Sequence, residues 1–177
     1  MEKVNVMGIT SPKNIKNWKE KFECVLDEDE YALFVSKDEF TNNEDPDIKD
    51  FNYRYAIDCF TTFKNGKCTW HYALKLVVCP KSLDKNFLSS VAECSGVSEN
   101  EVEIQDIIGH GGGDVTFGCE SSEDDKIDYD IITDIANVFE AINSLKAFYL
   151  DKNWNYKLNG WDVIKHCVNG EDMFKKM

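Results

Sequence analysis

The sequence predicts an α+β fold, a single domain over residues 1–177. Its antiparallel sheet of about four or five strands is built on a central hairpin over 51–79, with helices packed on one face. Three observations carry this reading. Asn65-Gly66 is a preferred two-residue turn, and the residues on either side of it alternate apolar with polar. Ile131, Ile135, Val138, Phe139, Ile142, Leu145 and Tyr149 recur on one helical stripe. The remaining elements are short strands and short helices in mixed order, which favours α+β over an alternating βαβ architecture.

Taken from the start, Ser11 as N-cap and Pro12 at the first helical position predict a helix over about 12–26. Ile15, Trp18, Phe22 and Val25 or Leu26 would form its apolar face. Glu30–Ser36 reads as a short strand, and about 37–50 as an acidic, Asn-rich loop. Counting outward from the Asn65-Gly66 turn sets Phe63 across from Cys68, Cys59 across from Tyr72 and Tyr55 across from Leu76. That register gives one apolar, buried face. Arg54, Asp58, Thr62, Thr69, His71 and Lys75, interrupted by Phe60, fall on the other, polar face.

Pro80 ends the second strand, and Ser82 is expected to cap a helix with Phe87, Leu88, Val91 and Cys94 on one face, closed by Gly96. Ser98-Glu99-Asn100-Glu101 is a capping-box pattern for one turn. "VEIQDII" reads as a strand, the glycine run after it as a bend between two strands, and "DVTFGCE" as the next strand. A long helix follows from about Tyr129, and a helical tail from about 160 to 177. Trp154, Tyr156 and Trp161 in this last region either dock the tail onto the domain or anchor a partner.

Composition narrows the function classes. No run approaches the roughly 18 apolar residues of a membrane span, and "MEKVNVMGIT" lacks the features of a secretory signal. A cytoplasmic protein is therefore expected. The seven cysteines contain no C-x-x-C pair and are odd in number, so reduced structural thiols are expected rather than disulfides or zinc. A single Arg among 20 basic residues equips the chain poorly to read phosphate or bases directly.

The formal net charge is −13, and it is concentrated. Residues 27–50 hold 10 acidic and 2 basic groups, and residues 99–134 hold 12 and 1. The residues in these blocks expected to bind a partner are Asp27, Glu28, Asp29, Glu30, Glu44, Asp45 and Asp47, then Glu120, Glu123, Asp124, Asp125, Asp128 and Asp130. Such runs are commonly solvated loops. The functional reading is that they meet a basic groove and take the place of phosphates there. No D-x-D-x-D-G calcium loop is present.

The most enzyme-like stretch is "IIGHGGGD", Ile107–Asp114. Its HGGG resembles the oxyanion loop of lipases and esterases, but the chain has no G-x-S-x-G elbow to go with it. Gly113 and Gly118 have Walker-A spacing, yet Cys119-Glu120 stand where Lys and Ser or Thr are needed. The alternative function is a small metal- or thiol-dependent enzyme using His110, Asp114 and Cys119, or a structural, self-associating subunit.

In composition the chain resembles the small acidic inhibitors of phages and mobile elements, including anti-CRISPR proteins and DNA mimics. No functional residue is carried over from that resemblance. The expected function is a non-enzymatic, cofactor-free inhibitor whose partner is a basic protein. A nucleic-acid-binding effector such as a CRISPR nuclease complex is one concrete candidate.

Overall fold

The computed structural model describes residues 2–7, 9–42, 51–111 and 113–143. Glu44, Asp45 and Asp47, the aromatics at Trp154, Tyr156 and Trp161, and the expected tail over about 160–177 lie outside the described residues. The fold is mixed α+β. Strands β1 (Lys3–Val6) and β2 (Ile9–Pro12) pair antiparallel. Strands β3 (Phe22–Glu28), β4 (Tyr31–Ser36), β5 (Phe40–Asn42), β6 (Phe51–Lys64), β7 (Lys67–Val78) and β8 (Asp114–Ser122) form a sheet of six. Its order is β3-β4-β6-β7-β8, with β5 pairing β6 beside this path. The helices are α1 (Lys85–Ser95), α2 (Ile104–His110) and α3 (Tyr129–Asn143). Six strands replace the expected four or five because β3 and β5 arise where a helix and a loop were expected.

The predicted helix over about 12–26 does not form. Its backbone donors are engaged by α3 instead: Asn14 N and Ile15 N donate to Asn137 Oδ1 at 2.8 and 2.9 Å, and Trp18 N to Thr133 Oγ1 at 3.3 Å. Only a 3-10 turn, Trp18–Glu20, remains, and Phe22–Glu28 pairs with β4. Ile15, Trp18 and Phe22 still reach the core, but from an extended chain. Side-chain acceptors distant in sequence outcompeted the local i→i−4 ladder.

Residues 55–75 of β6 and β7 lie with 2–38 and 116–143 in one compact unit. In this unit α3 lays Ile132, Ile135, Ala136 and Phe139 against the core. Phe139 meets Phe22 and Tyr55 edge-on at 5.8 and 6.0 Å, and Trp18 meets Phe34 at 4.7 Å. β6 and β7 are hydrogen-bonded neighbours joined by Asn65 and Gly66, at φ 52° and 74°. The polar face expected for β6 is not exposed throughout. Tyr55 to Cys59 are all buried, Ala56 and Asp58 included, so the strand is covered on both faces there.

A second compact unit gathers 39–42, 51–54, 76–111 and 113–115. Helix α1 begins at Asp84, whose carboxylate accepts from Asn86 N and Phe87 N at 3.1 and 3.2 Å, and stops at Gly96 with φ 71°. The expected cap, Ser82, lies two residues earlier, in a 3-10 turn, and accepts from Asn52 N at 2.7 Å. "VEIQDII" is not a strand. Asp106 accepts from Glu103 N at 2.8 Å, opening α2, and Ile104 and Ile107 are buried one turn apart. The glycine bend therefore joins a helix to a strand. Gly111 ends α2 at φ 82°, and at Gly113 (φ 80°) an added Cβ would stand 2.8 Å from Ile107 Cγ2. Left-handed backbone and close packing account for these two glycines.

Candidate functional site

The two acidic segments of the first compact unit are placed by short, specific interactions. β3 and β4 pair from Phe22 with Ser36 to Glu28 with Tyr31, so Asp29 and Glu30 form the turn between them. Asp27, Glu28, Asp29 and Glu30 are all exposed. The second segment leaves the end of β8 and is held by Tyr72, a fully buried residue of β7. The Tyr72 hydroxyl lies 3.0 Å from Ser122 Oγ and accepts from Asp128 N at 2.7 Å. One buried phenol thus brackets residues 123–127 and presents Glu123, Asp124 and Asp125 to solvent.

The two segments converge. The Cys68 thiol, at the start of β7, is held above its usual range by burial and then by the negative charges of Asp125, Glu30 and Asp124. The strand order gives the geometry: β4 and β8 flank the β6–β7 pair on opposite sides. Tyr31 pairs with Phe60 while Thr61 Oγ1 donates to Glu30 O at 3.3 Å, and Ser122 at the end of β8 meets Tyr72 of β7. Both acidic segments therefore leave the sheet at the end that carries the Asn65-Gly66 turn. Tyr129 at the start of α3 is likewise raised, by burial and then by Asp27. Among the described residues, none of Asp27–Glu30 or Glu123–Asp125 forms an ion pair. Lys126 is the basic residue inside the second segment, and Lys64 and Lys67 flank the nearby turn.

Other expected partner-binding residues are engaged inside the protein. Glu120 Oε1 accepts from Met7 N at 2.7 Å. Asp128 caps α3: its Oδ1 accepts from Asp130 N at 2.9 Å, and its carbonyl from Ile132 N at 3.4 Å. Asp130 is exposed in the first turn of α3, where a negative charge also favours the helix dipole. Sequence reasoning missed Tyr72 as the organiser because its partners lie about 50 residues away and no local pattern marks them.

The residues of the enzymatic alternative were located as well. Among the described residues no group of three or more His, Cys, Asp or Glu side chains is placed to hold a metal ion. The Cys119 thiol is pushed up by burial, as are Cys24 and Cys59, and Cys79 is pushed up to about 12. Reactive cysteines need the opposite shift, toward thiolate. His110 Nε2 lies 3.3 Å from Ser90 Oγ, the spacing of a nucleophile and its base. Its Nδ1, however, is buried without a hydrogen-bond partner. A bare lone pair there costs less than a stranded N–H, so the favoured tautomer carries its proton on Nε2. In that form His110 donates to Ser90 and does not accept its proton.

No family model, curated protein or solved structure matches this chain. Among the described residues, no helix is long and apolar enough to cross a membrane.

Proposed function

We propose that the protein is a non-enzymatic acidic binding protein, and that Asp27–Glu30 and Glu123–Asp125 together engage the basic groove of a nucleic-acid-handling protein. The carboxylates take the positions of phosphates, so the groove is occluded and the partner inhibited. A CRISPR nuclease complex is one concrete partner. The observation supporting this reading is that Asp29–Glu30 and Glu123–Asp125, far apart in sequence, leave the sheet at the same end, on the two flanks of the β6–β7 turn. Complementary charge gives such a surface fast, salt-sensitive association.

The test is capture from host lysate by the immobilised protein, set beside a variant carrying Glu30→Gln, Glu123→Gln, Asp124→Asn and Asp125→Asn. Partners held by the native protein should bind nucleic acid, be displaced by added single-stranded DNA, and elute as salt rises. The variant should bind them about 100-fold more weakly, roughly 3 kcal/mol for four complementary charges. Partners held equally by both proteins, or unmoved by salt and DNA, would refute the electrostatic mechanism.

A further inference from the structure

Phe63 is 60% exposed, more than any other large apolar residue in the described chain. It lies next to the Lys64 that ends β6, beside the Asn65-Gly66 turn. Two residues before it on the same strand, Thr61 Oγ1 donates to Glu30 O at 3.3 Å. On the neighbouring strand β7 the Tyr72 hydroxyl holds Ser122 and Asp128, the two ends of the segment that carries Glu123–Asp125. Its neighbours are otherwise satisfied. Phe60 stacks on His71 at 5.1 Å, and Thr62 Oγ1 lies 2.8 Å from His71 Nε2. Phe63 itself meets no ring partner among the described residues. A lone exposed aromatic is ordinary. One at the end of a hairpin, flanked on both sides by acidic segments without ion pairs among the described residues, has a particular chemistry, a flat apolar face with negative charge to either side.

A single strand of nucleic acid offers the same combination, in which bases stack on aromatic side chains while phosphates meet Lys and Arg. We propose that Phe63 is the apolar anchor of the acidic surface. It enters an aromatic-floored cleft between the basic side chains of a single-strand-binding groove, where a nucleobase would stack. This rests on the function proposed above and narrows the partner to grooves that carry aromatic platforms as well as positive charge.

The experiment uses two labelled peptides of equal charge, one of Lys and Trp and one of Lys and Ala, titrated at low salt. The native protein should prefer the Lys/Trp peptide by roughly 10- to 100-fold, the range for stacking one base. Phe63→Ala should abolish that preference and Phe63→Trp retain it, with circular dichroism unchanged because the side chain is exposed. A variant with Glu30→Gln, Asp124→Asn and Asp125→Asn should weaken both peptides alike. If the native protein shows no preference, or if Phe63→Ala keeps it while charge neutralisation still weakens both peptides, the anchor is overturned and the electrostatic reading stands. If the native protein binds neither peptide, the electrostatic reading fails, and the anchor with it.

Discussion

Replacing Lys75 by Met is expected to destabilise the protein by about 3–5 kcal/mol, the usual loss when one member of a buried ion pair is removed. Lys75 Nζ lies 3.0 Å from Asp58 Oδ2, and the two side chains are 17% and 9% exposed. Asp58 Oδ1 is buried and, by distance and angle, makes no hydrogen bond among the described residues, so the lysine is the charge compensation for this carboxylate. Without it, a charge on a strand buried on both faces is left uncompensated. Tyr31 adds to the constraint. Burial, and then the charge of Asp58 and a hydrogen bond to its carboxylate, hold the phenol well above the ordinary range, so Tyr31 stays neutral and offers Asp58 a hydrogen bond but no positive charge. The sign of the effect is tested by the double variant Asp58→Leu with Lys75→Met. Removing both charges leaves no stranded ion, and most of the lost stability should return. Urea unfolding of the three proteins provides the measurement. A Lys75→Met loss below about 1 kcal/mol would show that Asp58 is better solvated than its burial implies.

Asn137→Leu is expected to cost about 2–5 kcal/mol. Asn137 is 6% exposed and uses both ends of its amide. Its oxygen accepts from Asn14 N and Ile15 N, and its nitrogen donates to Thr133 O at 2.9 Å and to Ile15 O at 3.4 Å. The backbone carbonyl of Asn137 also accepts from Ser11 Oγ at 2.7 Å. Leucine keeps the branching at Cγ in a larger side chain but cannot accept. It strands the buried N–H of Ile15 and the part-buried N–H of Asn14, a buried one costing roughly 1–3 kcal/mol. Hydrogen exchange gives a second readout. The amides of Asn14 and Ile15 should lose their protection before those of β6 and β7. Equal protection in the variant would mean that some other group holds the 13–18 segment in place.

These two residues also explain which parts of the fold the sequence discloses. Elements set by local chemistry were legible. The stripe from Ile131 to Phe139 became α3, Gly96 stopped α1, and the short apolar run in 31–36 became β4. Elements decided by a distant partner were not. The segment after Pro12 has good helical spacing, but Asn137 and Thr133 take its amides, and no local pattern in 12–26 points to them. For α2 a signal was present in Glu103-x-x-Asp106 and the spacing of Ile104 and Ile107, yet the run is short and apolar enough to be read as a strand. The surface divides in the same way. The acidic blocks are plain in the sequence, whereas their meeting near Cys68 depends on strand order and on Tyr72. The roles of Glu120 and Asp128 as internal hydrogen-bond acceptors depend on the tertiary positions of Met7 and α3.

If the two acidic segments act as one binding surface, amide chemical-shift mapping will register both of them at once. A Lys/Trp peptide is titrated into isotopically labelled protein at low salt, and the titration is repeated as salt is raised. Shifts should concentrate at Asp27–Glu30, Phe60–Cys68 and Glu123–Lys126, moving together with one affinity and fading as the Debye length shortens. Shifts spread evenly over the acidic exterior, or centred on Ser90, His110 and the glycine bend, would contradict a single acidic surface.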